Sequence, residues 1–218
     1  ASARAGPAEV GFQSSYGKPV GAGGHGRIWA MASDRGTYVT APGHFDAGGW
    51  QNFGFGGRYD GPLGGGNLFL STDLRRVMSE REDLLHQPST RTDIILASGS
   101  HVAHAGTALA RWNRPLGPRT DLTVQGWFER RDRDDRTYAE RRTSFDFEVQ
   151  AVHTTDRHIF MSGVNVRTSV DRVSSSSTLI FDPARATTAS SSVFVNDEVK
   201  LGSRVRLTAG VKAERNSY

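Results

Sequence analysis

Cysteine is absent from the 218-residue chain, which rules out a disulfide framework and thiolate metal sites and is compatible with an oxidising compartment. Long apolar runs are missing too. None approaches the ~20 residues that a membrane-spanning helix needs. Lysine occurs only at Lys18, Lys200 and Lys212, so the formal net charge of +4 and the sequence pI near 9.7 rest on arginine. Those arginines alternate along prospective strands and share their tips with aspartates. They form no continuous basic stripe of the kind that holds a nucleic acid, so nucleic acid is not expected as a partner. Aliphatic content is low and glycine numerous, at 25 residues, which argues against a helical bundle and for one large all-β domain. Ala1-Ser2-Ala3 looks like the small-residue end of a signal peptide, but no charged segment or apolar core precedes it. The sequence is expected to begin in the middle of something longer.

What is present is alternation. Ala189 to Tyr218 reads as two strands joined by a tight turn at Leu201-Gly202-Ser203-Arg204. In the second strand Val205, Leu207, Ala209, Val211 and Ala213 point one way, and Arg206, Thr208, Gly210, Lys212 and Glu214 the other, because successive strand side chains face opposite sides. The pattern gives strand geometry without saying whether lipid or a protein core meets the apolar face.

The same reading applies upstream. Residues 9–17 form a strand with Val10, Phe12, Ser14 and Tyr16 on one face, and a second strand runs from about Gly26 to Val39. A longer link, Thr40 to Gly49, leads to a third strand carrying Phe53, Phe55, Gly57 and Tyr59, which ends at the Gly61–Gly66 turn signal. The fourth begins at Asn67 with Leu68, Leu70, Thr72 and Leu74 on a face, and the polar stretch Ser79 to Thr92 reads as a loop. Ile94 to Ser100 is compatible with strand, loop edge or short helix, and Ala103 to Arg114 with a fifth strand. The sixth spans Asp121 to Arg131, and its tip, Arg130 to Arg142, is the densest charge cluster in the chain. Phe145, Phe147, Val149 and Ala151 mark the seventh strand, and Phe160, Ser162, Val164 and Val166 the eighth. A serine-rich loop, Asp171 to Thr188, precedes the final hairpin.

The links alternate short and long, as in an outer-membrane β-barrel with tight turns on one rim and long loops on the other. Tyr16 and Tyr59 fall near short-turn ends and Phe128 and Phe145 near a long-loop end, where interfacial aromatic girdles belong.

The segments SVFVNDEVKL and RVRLTAGVKAERNSY resemble the "FVQDE…L, RLTLG…ER/EHN.Y" hairpin of TonB-dependent receptors, outer-membrane barrels that import iron chelates and other scarce nutrients. Asp121-LTVQGWFERRDRDDRTYAERRTSFDFEVQ is similar to the hairpin "LQ.Y.DRTDRD…ED RDTFD.DFQ" of that family, and the stretch from Arg157 to Pro183 to its next strand and loop. Gly26-RIWAMASDRG and Gly49-WQNFGFGGRYD resemble the segment that follows the plug. The motifs are collinear over most of the chain. The resemblance implies an antiparallel up-and-down transmembrane β-barrel, residues 1–218 supplying about ten strands of a barrel of about 22. The plug and the closing strands would lie outside the sequence. It further implies a Gram-negative outer-membrane location amid lipid and lipopolysaccharide. Uptake of a ferric siderophore or similar ligand would be powered by the inner-membrane TonB complex, with no enzymatic step and no resident cofactor. The alternatives are a small self-closed barrel, either a porin or a ten-stranded protease with loop carboxylates such as Asp132 or Asp182, and a soluble β-domain.

Under the family reading the ligand meets the lumen and long loops. Arg130, Arg131, Arg133, Arg136, Arg141 and Arg142 with Tyr138 could present positive charge and an aromatic to an anionic siderophore, because a guanidinium fork matches carboxylate and catecholate oxygens. Asp132, Asp134, Asp135 and Glu140 are interspersed among them, so the tip could equally be a self-neutralising loop or one contacting lipopolysaccharide phosphates. No metal site is expected. His101 and His104, three apart on a strand, face opposite ways. The aspartates lack the glycine and terminal glutamate of a calcium loop.

Overall fold

The structure, a computed structural model, describes residues 1–218 except 7–8, 37, 42–43, 47, 87–93, 177–178, 203 and 218. At 4, 6, 38–41, 44–46, 81–86 and 94–98 it describes the backbone alone. Among the described residues thirteen strands are present: β1 (Ser2–Gly6), β2 (Glu9–Val20), β3 (Gly24–Arg35), β4 (Tyr38–Ala41), β5 (His44–Asp46), β6 (Trp50–Leu63), β7 (Gly66–His86), β8 (Ile94–Pro115), β9 (Thr120–Asp134), β10 (Ala139–Thr154), β11 (His158–Ser174), β12 (Arg185–Lys200) and β13 (Arg206–Ser217). Eleven of them form one sheet in the order β1-β2-β3-β6-β7-β8-β9-β10-β11-β12-β13, each antiparallel to its neighbour. β4 and β5 make a separate two-stranded hairpin inside the link between β3 and β6. The sheet is open: β1 and β13 do not pair with each other.

The expected up-and-down all-β architecture is therefore present, with eleven strands rather than about ten. The additional one is β1, whose residues Ser2 to Gly6 pair with Gln13 to Glu9 of β2. It is short and, Arg4 apart, built of small residues, so it carries no apolar alternation to announce it. Three stretches read as loops are shorter than expected, because the flanking strands run into them. β7 continues to His86 and β8 starts at Ile94, their register running without a break from Asn67↔Asn113 to His86↔Ile94. Of the loop expected at Ser79 to Thr92, residues 87–92 lie outside the described residues. Ser79 is the last β7 residue to pair with β6, and Val102 the first of β8 to pair with β9, so the hairpin projects beyond its neighbours. The sequence of its two arms, Glu80 to His86 and Ile94 to Gly99, keeps no regular alternation to announce it. The charged tip likewise narrows to the turn 135–138, and the serine-rich loop to 175–184, because β9 to β12 run on into them. The strand ends that flank 21–23, 64–65, 116–119, 155–157 and 201–205 lie at one rim, and those that flank 36–49, 87–93, 135–138 and 175–184 at the other.

The sheet is inside out relative to a water-soluble domain. Among the described residues no apolar side chain is buried, whereas His101, Asp135, Ser144, Asp146 and Ser192 are. On the polar face Asp146 accepts from Asn165 Nδ2 at 3.0 Å and from Arg167 Nε at 2.7 Å, the Ser144 and Ser169 hydroxyls meet at 2.9 Å, and Arg111 Nε donates to Gln125 at 2.7 Å. Trp29 also lies on this face, across Gly54 and Gly56. A Cβ at Gly56 would stand 2.4 Å from the indole, so glycine is required there. The opposite face exposes Ile28, Phe55, Leu70, Phe128, Phe145, Val164 and Val193. Register sets them in continuous rows. Tyr16, Ile28, Gly57, Thr72, Ala108, Phe128 and Phe145 are successive cross-strand partners. An apolar face this extensive beside a satisfied polar one is the arrangement of a barrel wall, with lipid outside and a polar lumen inside.

Tyr16 and Tyr59 do stand near the short-link rim, joined there by Trp112, whose Nε1 donates to the Leu63 carbonyl at 2.9 Å. Phe128 and Phe145 do not reach the opposite rim. They face one another in mid-strand, because β9 and β10 extend beyond them to Asp134 and Ala139.

Candidate functional site

Of the seven residues singled out in the charged tip, Arg130, Arg131 and Arg133 belong to β9, Arg141 and Arg142 to β10, and only Arg136 and Tyr138 to the turn between them. Strand geometry then divides the cluster. Arg131 pairs across the ladder with Arg142, and Arg133 with Glu140, all on the polar face; Asp132 pairs with Arg141, and Arg130 with Thr143, on the apolar face. The structure thus brings Arg131, Arg133 and Arg142 together and sends Arg130 and Arg141 to the other side of the wall.

On the polar face each of the three arginines has a carboxylate partner. Arg131 Nη2 donates to Glu129 at 2.9 Å, Arg133 Nη2 to Asp135 at 2.7 Å, and Arg142 Nε to Asp171, with Glu140 a looser partner of Arg142 at 3.9 Å. The Arg133 guanidinium lies 5.1 Å from the centroid of the Tyr138 ring, which in turn meets Phe181 at 5.7 Å in a tilted pair. These contacts hold the turn against the end of β11 and the link that follows it. On the apolar face Arg130 Nε and Arg141 Nε both donate to Asp132, at 2.9 and 2.5 Å.

The most perturbed group in the cluster is Asp135. Its carboxylate is buried, which alone would favour the neutral acid. That effect is outweighed by donation from the Thr137 N–H at 3.0 Å, from Arg133, and from the Thr137 hydroxyl at 2.9 Å, and by the neighbouring His101. The group therefore ionises well below the usual carboxylate range. His101 Nδ1 stands 3.0 Å from Asp135, and the imidazole is buried. Sequence reading considered His101 only as half of a pair with His104. The structure puts His101 on the polar face against Asp135 and His104 in an apolar-face row between Arg76 and Asp132. Asp135 was legible as a charged tip residue, but its burial depends on β8 passing beneath the turn, which no local signal reports. Among the described residues no three His, Asp or Glu side chains converge as metal ligands.

No family model matches the chain, and no curated protein sequence does. Solved structures do. Over 96% of its length the chain is similar to the siderophore receptor PirA from Pseudomonas aeruginosa, at 11% identity and a TM-score of 0.67, and it spans 34% of that receptor. Likeness to the β domain of the Bordetella autotransporter BrkA is looser, at 13% identity and a TM-score of 0.40 over 96% of this chain and 83% of that one. For LpxR from Salmonella typhimurium the figures are 7% and 0.26, over 96% and 88%. The up-and-down antiparallel sheet, with its polar and apolar faces, has the fold of an outer-membrane β-barrel wall.

Proposed function

We propose that the chain is part of the wall of a TonB-dependent receptor in the outer membrane of a Gram-negative cell, where it takes part in energy-coupled uptake of a scarce nutrient, a ferric siderophore. The observation that supports this most is that the whole sheet follows a siderophore receptor over about a third of that receptor's length while its own edge strands stay unpaired. An open edge in hydrocarbon leaves backbone groups without partners, so further strands must cover it. The collinear motif resemblance favours the same family.

In this reading the polar face lines the lumen, and Arg131, Arg133, Arg142 and Tyr138 stand at its long-link end, where a ligand arrives. Their carboxylate partners hold the guanidinium planes in place and leave further N–H donors for the carboxylate or catecholate oxygens of an anionic chelate. Arg136 sits in the turn itself. Arg130 and Arg141, on the lipid side, contribute nothing to ligand capture. Transport needs no covalent step: the inner-membrane TonB complex acts on a plug held by the complete barrel, and the wall supplies rigidity and a polar lining.

The test is uptake of radiolabelled ferric siderophores by cells expressing the full-length protein, with and without the TonB complex. Energy-dependent uptake that disappears without the complex is expected. Steady conductance of the purified protein in a bilayer, with no such uptake, would replace this reading with a self-closed porin.

A further inference from the structure

The polar face carries a second pair of opposed arginines, remote from the charged tip. Arg27 of β3 and Arg58 of β6 are direct partners across the ladder. Like charges in that position repel. The row they occupy continues through Ser71 and Leu109 to Trp127, four residues along β9 from Arg131, so the pair lies about 13 Å closer to the short-link rim at ~3.3 Å per residue.

At the tip, the opposed arginines Arg131 and Arg142 each have a carboxylate of their own, Glu129 and Asp171. Here a single carboxylate stands beside two cations. Asp60 accepts from Arg58 Nε at 2.6 Å and from Arg58 Nη2 at 3.1 Å, and the same guanidinium lies 4.8 Å from the centroid of the Phe69 ring. Arg58 is thereby held from two sides. Among the described residues Arg27 has no carboxylate partner, and its Nη2 donates to the Ser15 hydroxyl at 3.4 Å. Of the five N–H donors on each guanidinium, Arg58 uses two on Asp60 and Arg27 one on Ser15, so three and four remain.

Both guanidiniums border a cavity of about 380 Å³. Gly17, Pro19 and Gly26 leave the space open, because none of them sends a long side chain into it. His25 and Asp60, partners in the next row, stand on its short-link side. Lys18 borders the cavity as well but alternates with Tyr16 and Val20 onto the apolar face.

We propose that this cavity is an oxyanion site, taking a phosphate or carboxylate group between Arg27 and Arg58. That it lines a lumen, beyond the point where a ligand arrives, rests on the outer-membrane reading above; the site itself rests on the pair and the cavity. Paired guanidinium forks match the oxygens of such a group, and an anion between them offsets their repulsion. Because Asp60 and Phe69 already fix Arg58, little of its side-chain freedom is left to lose when the anion arrives. The oxyanion comes from a free solute or from an acidic side chain elsewhere in the full-length protein, and the chemistry is the same.

The full-length protein, purified in non-ionic detergent without phosphate, is titrated with inorganic phosphate by calorimetry at fixed ionic strength. Native protein should bind, and Arg27→Gln, which breaks no ion pair, should lower the affinity about tenfold, as loss of a charge-assisted hydrogen bond does. Arg27→Lys should recover part of the loss, because it restores the charge without the fork. The double variant Arg27→Gln, Arg58→Gln should not bind; heat-modifiable gel mobility shows that each variant is folded. If the native protein takes no phosphate but Arg27→Gln opens a new protease-cleavage site elsewhere in the full-length chain, the occupant is a carboxylate of the protein itself. No phosphate binding together with an unchanged cleavage pattern overturns the proposal. So does phosphate binding of equal strength in the native and Arg27→Gln proteins. Phosphate binding by a protein without energy-coupled siderophore uptake keeps the site and overturns the receptor reading, whereas uptake with neither sign of an occupant does the reverse.

Discussion

The two faces of the β9–β10 hairpin hold similar numbers of arginines and use them differently. Inward, Arg131, Arg133 and Arg142 are matched to Glu129, Asp135 and Asp171, and one of these carboxylates is buried with four stabilising contacts. Outward, Arg130 and Arg141 compete for Asp132, and the neighbouring Arg172 and Arg185 have no carboxylate partner among the described residues. Local charge balance within a run such as RRDRDDRTYAERR therefore says little about balance on either side of the wall, because alternation sorts neighbours onto opposite faces. The inward face is internally satisfied and rigid. The outward face carries an excess of positive charge among the described residues.

The difference between the faces can be broken most severely at Phe145. An arginine there enters the lipid-facing row, and Phe145→Arg is expected to cost about 2–4 kcal/mol in the bilayer, whereas Thr107→Arg, on the lumen face, should cost little. Urea-dependent unfolding of the full-length protein in lipid vesicles measures both. Equal effects would mean that the two faces do not meet different solvents. A smaller change is expected from Gly56→Ala, which sets a methyl against the Trp29 indole and should cost about 1–3 kcal/mol, restored in part by adding Trp29→Ala. If the double variant is no better than the single, the steric account of that glycine is wrong.

Asp135 sharpens the comparison through pH. Its folded-state pKa is lowered, so its contribution is fully present above the ordinary carboxylate value of about 4 and is lost as the pH falls through the folded-state value. Asp135→Asn should cost about 1–3 kcal/mol near neutrality. The gap between native and variant proteins should close with acidification below about pH 4, and a gap that stays constant would remove Asp135 from the network. The least effect on stability is expected at Arg131, whose own side chain stays largely solvated in its pair with Glu129. Arg131→Gln should change unfolding by less than about 1 kcal/mol while reducing siderophore affinity. A stability loss without an affinity change would make that pair structural.

Strands with one face in lipid were readable to within a few residues, as at β6 and in the middle of β9, because a two-solvent environment imposes strict alternation. Signals failed where alternation lapses. The ends of β9 and β10 are polar on both faces, and the β7–β8 sequence past Ser79 keeps no regular period, so strand and loop look the same there. Of the seven tip residues, the residue types and their electrostatic mixture were legible. Their division between lumen and lipid was not, since extending β9 to Asp134 converts a loop, whose side chains have no fixed direction, into a strand, whose side chains do. Arg27 and Arg58 went unnoticed because they lie far apart in the chain and meet only across the ladder.

By itself the sequence determined which residues alternate, and hence the existence, the up-and-down order and the two contrasting faces of the strands, because side-chain direction along a strand is a local consequence of the pleat. Only the tertiary structure decided register. It placed Arg141 beside Arg172 and Arg185, buried Asp135 against His101 of β8, and laid Trp29 over Gly56. Register is the sum of many cross-strand contacts between distant segments, and no single stretch of chain contains it.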